Sequence, residues 1–360
     1  MRIIRLILRN YRNYEHLDLN PSPYLNVLLG ANGQGKTNLL ESVAMLALSS
    51  SPRARRDVEL IGSADPAAKI QAEVESGGRT HELVISIQRR GEGARRSIEV
   101  DGRPRRALDL PGIFRVTLFW PDDLNMIKSG PEYRRRFLNQ MLVQIQPGYA
   151  ANLAAYSRAL EQRNRLLKQI GSAGHPDLSL DVWDDQLAPL GDAIVAARRR
   201  ALTSLAELAA RVHGAISGEV MTLEYVGPGG PMADCLRRSR RQDLRRGLTS
   251  EGPHRDDVLV TIQGRDARAY SSQGQQRTAA ISIKLAEAEW VEASSGEPPV
   301  LLLDDLLSEL DGSRRRALLE RLGRPGQVII TSVEADAFTA FNAARSVVRR
   351  IEAGRILDDG

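Results

Sequence analysis

Gly30-Ala31-Asn32-Gly33-Gln34-Gly35-Lys36-Thr37 is a complete G-x-x-x-x-G-K-[ST] phosphate loop, and its flanks decide how the chain folds. Glycines keep side chains away, so that main-chain N–H groups can approach a triphosphate. Lys36 adds charge against the β- and γ-phosphates, and Thr37 supplies a hydroxyl for Mg2+. Upstream, Tyr24-Leu25-Asn26-Val27-Leu28-Leu29 reads as a buried strand. Downstream, Asn38-Leu39-Leu40-Glu41-Ser42-Val43 opens a helix whose N-terminus favours an anion. Strand, loop and helix in that order predict an α/β fold around a nucleoside triphosphate. The expected phosphate-binding set runs from Gly30 through Thr37 to Asn38.

A second half-site is expected far along the chain. Pro298-Pro299-Val300-Leu301-Leu302-Leu303-Asp304-Asp305 is an apolar run ending in two acids, the form of a buried parallel strand whose C-terminal edge presents carboxylates to a nucleotide. Asp304 is placed to hold magnesium and Asp305 to orient or deprotonate an attacking water, and Lys36, which holds phosphate, joins Asp305 as a catalytic candidate. The same two acids also suit the cap of a following helix. Before them, Tyr270-Ser271-Ser272-Gln273-Gly274-Gln275-Gln276-Arg277 precedes a helical run from Thr278 to about Glu292. Ser272 and Gln275 form an S-x-x-Q capping box, and with Gly274 they make a second helix end able to meet phosphate.

Between these motifs the pattern changes twice. Up to about residue 120, Ile70 to Val74, Leu83 to Ile87 and Arg96 to Val100 alternate in polarity, the last running into the turn Asp101-Gly102. They read as antiparallel hairpins beside the phosphate-loop strand. From 121 to 250, two long helical patterns, about Ala150 to Ile170 and Val182 to Ile216, are joined by Gly171 to Pro176. An Arg-rich helix and then strands near Asp257 to Ile262 follow. The reading is a discontinuous head, 1–120 with 251–360, interrupted by a helical lid, 121–250. Neither long helix sustains heptads with charged flanks, so no long coiled coil is expected.

Composition narrows the classes. With 360 residues and 42% hydrophobic content the chain can bury a large core. The single Cys235 excludes an internal disulfide, and the five histidines show no ligand spacing, so no metal beyond the nucleotide's is expected and a reducing cytoplasm is the natural compartment. Met1 to Arg9 is broken by arginines and reads as a strand, and no run of apolar residues is long enough for a membrane span.

Taken together, the phosphate loop, the Ser-x-Gly-Gln signature, the acid-ended strand and Ser308-Glu309-Leu310-Asp311 resemble the ABC-type ATPase heads of the SMC group. Details resemble the RecF family: Arg9-Asn10-Tyr11-Arg12-Asn13-Tyr14, Phe119-Trp120-Pro121-Asp122-Asp123-Leu124, Arg134-Arg135-Arg136-Phe137-Leu138, Gln162-Arg163-Asn164, Trp183-Asp184 and Gly252-Pro253-His254-Arg255-Asp256-Asp257. The resemblance implies a mixed-sheet head with an antiparallel β subdomain and a short helical lid. It also implies ATP-driven homodimerisation, with Ser272 sensing the partner's γ-phosphate, and Arg12 among the nucleotide-binding residues. DNA binding at duplexes and single-strand/duplex junctions, cooperation with RecR, and help in loading RecA at gaps follow from it too. Departures are also visible. Gln273 stands where transporters have glycine, Asp305 where many ABC ATPases have Glu, and Thr331-Ser332 near the usual switch histidine; no Q-loop glutamine is evident, its region holding Asp122 and Asp123. An acid one methylene shorter predicts slow hydrolysis, and the resemblance implies that this hydrolysis depends on DNA.

The net charge is +5, of which residues 121–250 carry +4. Clusters at Arg134, Arg135 and Arg136, at Arg198 to Arg200, and at Arg237, Arg238, Arg240, Arg241, Arg245 and Arg246 are candidates for DNA phosphates. Arg134, Arg135, Arg237, Arg238 and Arg241 head that set. Few aromatics accompany them, which favours duplex backbone over stacked single strands. Residues Gly252 to Asp257 either line the nucleotide or tie lid to head as a hinge, the reading favoured here. The rival functions are a transporter's nucleotide-binding subunit, a coiled-coil tether and a small-molecule kinase. An expected affinity for DNA, against dependence on a membrane partner, discriminates the first; the missing coiled coil disfavours the second; the third would need no signature helix.

Overall fold

The computed structural model of the chain describes residues 1–173, 180–306, 326–333 and 346–357. In chain order these form β1 (Arg2–Tyr11), β2 (Tyr14–Leu19), β3 (Leu25–Leu29), α1 (Lys36–Leu48), β4 (Ala67–Ser76), β5 (Arg79–Arg90), β6 (Gly93–Val100), β7 (Arg103–Arg105) and β8 (Val116–Phe119). Next come α2 (Asn125–Lys128), α3 (Pro131–Ile145), α4 (Tyr149–Ala173), α5 (Leu180–Ser217), β9 (Met221–Val226), α6 (Met232–Arg246), β10 (Asp257–Ile262), β11 (Arg265–Asp266) and α7 (Ala267–Tyr270). Last are α8 (Gln273–Ser295), β12 (Val300–Leu303), β13 (Val328–Ser332), β14 (Ser346–Glu352) and β15 (Arg355–Leu357). The expected Ser308 to Asp311 motif, and Gly174 to Pro176 of the helix connection, lie outside the described residues.

Two compact units emerge: Met1–Asp123 with Lys284–Gly360, and Leu124–Ile283. The return to the first unit comes at Lys284 rather than at 251. The reason is that β10 pairs with β9 from Asp257↔Val226 to Ile262↔Met221, so the strands expected to belong to the head are hydrogen-bonded inside the inserted unit.

The first unit holds two six-stranded sheets. In the order β15-β14-β3-β13-β12-β8, every pairing is parallel except the terminal β14–β15 hairpin. Its strands are buried on both faces, as parallel strands covered on both sides require: all five residues of the central strand β13 and all four of the edge strand β8 are buried. The hairpins expected beside the phosphate-loop strand instead form a sheet of their own with β1 and β2, β2-β1-β4-β5-β6-β7, antiparallel throughout. Strict alternation along β4 gives that sheet one apolar face, where Leu6, Leu8, Ile70, Val74, Ile85 and Ile87 are fully buried. Asp101 (φ 52°) and Gly102 (φ 69°) both adopt left-handed backbone between β6 and β7, the geometry of a two-residue hairpin turn.

Gln327 joins the two sheets. Its side-chain amide accepts from the Ile3 N–H (2.7 Å) and donates to the Ile3 carbonyl (3.0 Å), pairing with β1 as a strand backbone would. Burying that amide is tolerable because its polar atoms are satisfied.

The second unit packs α4, α5 and α6 together with the three-stranded sheet β11-β10-β9. Its interior is held by ions as well as by apolar contact. Arg163, fully buried, donates to Asp184 (2.6 Å), Asp243 (2.7 Å) and the Thr249 hydroxyl (2.9 Å). Arg198 donates to Asp256 (3.0 Å), the Pro253 carbonyl (2.6 Å) and Asn139 (2.9 Å).

Candidate nucleotide-binding site

β3 delivers the chain into the phosphate loop. Gly30 (φ 159°) could not be replaced, since a Cβ there would lie 2.4 Å from the Ile351 carbonyl oxygen; Gly33 (φ 81°) and Gly35 (φ 115°) hold left-handed backbone. α1 begins after Gly35 with no side-chain cap and no acid in its first turn, which leaves first-turn N–H groups as donors for an anion. The loop is braced from three directions. The Gln34 carbonyl accepts from Gly354 N–H (3.0 Å) and Asn13 Nδ2 (2.9 Å), while Gln34 Oε1 accepts from Ala353 N–H (2.7 Å). The Tyr14 hydroxyl donates to the Gly35 carbonyl (3.0 Å), and Asn38 Nδ2 donates to Asn13 Oδ1 (2.8 Å). Ala31, Asn32 and Gly33 form the exposed tip.

Lys36, almost fully buried, donates through Nζ to the carbonyls of Gly30 (2.5 Å) and Ala31 (2.9 Å). Burial pulls its ammonium below the ordinary lysine range, while Asp305 and Asp304 pull the other way. The Thr37 hydroxyl lies 3.0 and 2.9 Å from the two carboxylate oxygens of Asp304. Burial raises the Asp304 carboxyl above its usual range although Thr331 and Thr37 hydrogen-bond to it. A buried, hydroxyl-flanked carboxylate of this kind favours an added cation. Thr37 and Asp304 are hard oxygen donors, and magnesium needs only one or two protein ligands when phosphate and water oxygens supply the rest. Among the described residues no cluster of three His, Cys, Asp or Glu side chains is built to hold a metal alone. The residues therefore fit a magnesium nucleotide.

Sequence reasoning missed how the two acids are joined. The Thr331 hydroxyl, at the end of β13, donates to Asp304 Oδ1 (2.8 Å) and accepts from the Asp305 N–H (2.9 Å). Asp305 itself has φ 48°, so its side chain leaves the strand line at the edge where β12 meets β13. A threonine bridging neighbouring strands has no local sequence signal. Arg53 was also missed. It donates to Asn38 Oδ1 (3.0 Å), stands 3.8 Å from Glu41, and is one of the charges acting on Asp304. Three arginines within four residues, Arg53, Arg55 and Arg56, were the available signal.

Other expected residues make the following contacts. Arg12 grips Glu41 of α1 with two hydrogen bonds (2.9 and 2.8 Å) and the Glu59 carbonyl (2.8 Å), so its guanidinium braces α1. Burial drives the Glu41 carboxyl upward, but Arg12, Ser51 and Arg53 outweigh it and hold the group below its usual range. In the second unit the capping box forms: Ser272 Oγ accepts from Gln275 N–H (3.2 Å) and Gln275 Oε1 accepts from Ser272 N–H (2.9 Å). Gln275 Nε2 is further bound to Glu219 (2.6 Å), whereas Ser272 and Gln273 remain exposed.

The arginine clusters separate into two kinds. Arg134 is buried and bidentate to Asp257 (2.6 and 2.9 Å), and half-buried Arg135 donates to the Asp256 carbonyl (2.7 Å). Both were expected at a DNA surface; carboxylate and carbonyl partners inside the unit draw them inward instead. α6 behaves differently. Its buried side is Met232, Cys235, Leu236, Ser239 and Asp243, and Arg237, Arg238, Arg241 and Arg245 lie exposed on the opposite side.

Neither expectation for Gly252 to Asp257 matches the bonding. The segment clamps the second unit internally: Asp256 binds Arg198 and Tyr225, Asp257 binds Arg134, and His254 binds Tyr156 (2.8 Å) and the Thr249 carbonyl (3.0 Å). Since a carbonyl can only accept, Nε2 of His254 carries the proton and Nδ1 accepts from the Tyr156 hydroxyl. Burial lowers the imidazole to about 4.

Comparison with known proteins agrees with this geometry. The family model for the RecF/RecN/SMC N terminal domain matches residues 2–353. The DNA replication and repair protein RecF of Exiguobacterium is 40% identical, covering 99% of both chains, and that of Heliobacterium modesticaldum 37%, again with 99% of both covered. A solved structure of the recombination mediator protein RecF with ATP, in the RecFOR pathway, superposes with a TM-score of 0.90 at 31% identity, covering 99% of this chain and 96% of that one. An Smc head bound to the C-winged helix domain of ScpA gives a TM-score of 0.58 at 14% identity over 99% and 97% of the two chains, a likeness of fold alone.

Proposed function

We infer, because this chain belongs to the RecF family, that it is an ATP-binding protein of DNA replication and repair whose bound nucleotide controls assembly on DNA. The transporter reading is set aside, since the full-length relatives are repair proteins. Among the described residues no helix is long and apolar enough to cross a membrane.

The observation that carries the reading is the Thr37–Asp304–Thr331–Asp305 hydrogen-bond chain beside Lys36. Lys36 and the first-turn N–H groups of α1 bind and orient phosphate. Thr37 and Asp304 hold magnesium, which when bound shields the phosphate charge. Asp305 is placed by Thr331 to receive a proton from water; its short arm makes turnover slow, so that the bound state lasts. Ser272, exposed at the start of α8, completes the site of a second copy, and the ATP-bound form is a homodimer. The exposed arginines of α6 supply contacts to duplex backbone and to single-strand/duplex junctions. Cooperation with RecR in loading RecA at gaps, and DNA-dependent hydrolysis, complete the proposal.

Sedimentation of the purified chain with Mg-ATP, without nucleotide, and with ATP in a Ser272→Arg variant tests it. A dimer seen only with ATP and lost in the variant is expected. A monomer in all three conditions refutes the shared site.

A further inference from the structure

The antiparallel sheet of the first unit turns one face inward, and its outward face keeps its charges in two separate halves. In one half each arginine is matched: Arg2 to Glu75 (2.9 Å) and Arg5 to Asp18 (2.6 Å), with Glu73, Glu82 and Glu99 on the same side. In the other half Arg9, Lys69 and Arg95 form no ion pair with any described residue.

Strand register sets these cations in a row across the sheet. Arg9 of β1 stands opposite His16 of β2 and Lys69 of β4; Lys69 stands opposite Ser86 of β5, and Ser86 opposite Ser97 of β6. Arg95 lies two residues from Ser97, opposite Gln88, and therefore on the same face. From His16 on β2 to Arg95 on β6, four strand spacings of about 4.8 Å make the row roughly 19 Å long, of which the three cations span about 14 Å. Glu15 beside His16 and Glu92 in the β5–β6 turn mark its borders.

We propose that this half-face docks the phosphate backbone of duplex DNA, as a second contact surface besides the arginines of α6. The inference rests on the DNA-binding reading above and names residues for it in the first unit. Cations on a paired sheet are already held in place, so little backbone ordering opposes binding. They carry no carboxylate that phosphate would have to displace. The outward residues of the row include no Phe, Tyr or Trp, so there is no platform on which single-stranded bases could stack. The acidic half repels phosphate, which directs the duplex along the row, across the strands. Contacts of this kind read charge and not sequence.

The test is fluorescence anisotropy of a short labelled duplex with the full chain in Mg-ATP, between about 50 and 200 mM salt. The native chain is compared with Arg9→Gln/Lys69→Gln/Arg95→Gln and with the control Arg2→Gln/Arg5→Gln. If each of the three cations neutralises one phosphate, the slope of log affinity against log salt falls by about 2.7. Salt then weakens the native chain by about 40-fold more than the variant over that range. The control, whose charges are already matched by acids, keeps the native slope. Should the triple variant lose ATP binding, Lys69→Gln alone serves, with an expected fall of about 0.9. A native slope in the variants while the native chain binds duplex overturns this surface and leaves the functional reading intact. No duplex binding by the native chain removes both. Loss confined to a single-stranded probe overturns the choice of duplex.

Discussion

His254 gives the most quantitative expectation. Its imidazole is buried between Tyr156 and the Thr249 carbonyl, and burial lowers its pKa from 6.5 to about 4. The unfolded chain therefore takes up a proton at a pH where the folded chain does not, and stability contributed by the neutral ring is lost as pH falls from about 6.5 toward 4. The full span of 2.5 units corresponds to about 3.4 kcal/mol, of which about 2 kcal/mol is lost between pH 7 and 5. Gln at this position can donate to the Thr249 carbonyl and accept from Tyr156 without titrating. Urea unfolding of the second unit, followed by Trp183 fluorescence in a Trp120→Phe/Trp290→Phe background, measures the effect. The chain with His254 should lose about 2 kcal/mol more than His254→Gln between the two pH values. Asp256, whose carboxyl burial raises, titrates in both proteins and cancels in the comparison. Equal losses would refute the buried neutral ring.

Three further outcomes are expected. Asp305→Asn should abolish phosphate release while leaving ATP affinity within about threefold of native, because Lys36, Thr37 and Asp304 stay in place; single-turnover assays with equilibrium binding check both. Gly354→Ala should weaken ATP by about tenfold, since a Cβ there falls 2.1 Å from the Asn13 carbonyl oxygen at φ 75° and pushes the brace off Gln34. Nucleotide titration reads the loss, and an unchanged affinity would show that the brace does not shape the loop. Arg163→Met should destabilise the second unit by about 3–5 kcal/mol, because it leaves Asp243 and Asp184 without their buried cation; denaturant unfolding measures it.

What was legible in the sequence was local. Gly30 to Thr37, the acid-ended β12 and the Ser272–Gln275 box each fit in a window of a few residues, and each takes the expected backbone form. The longer-range partners were not legible. Thr331 meets Asp304 because β12 and β13 are adjacent parallel strands, a fact of sheet order with no trace in either segment. Arg134 and Arg237 look alike as residues. One faces Asp257 across the interior and the other faces solvent, and only the tertiary partner decides which. β9 and β10 pair across an intervening helix, so a boundary drawn from helical composition placed them in different units.

The brace on Gln34 also has a meaning for biosynthesis. Gln34 and Ala353 are 319 residues apart, so at roughly 5–20 residues per second a ribosome needs about 15–60 s to make the second after the first. β3 likewise waits for β14, its parallel neighbour. While Leu124–Ile283 is being synthesised and folds, the nascent strand that carries the phosphate loop has an open edge and an unbraced turn. Until the β14–β15 hairpin has emerged, the nascent loop meets nucleotide without its brace.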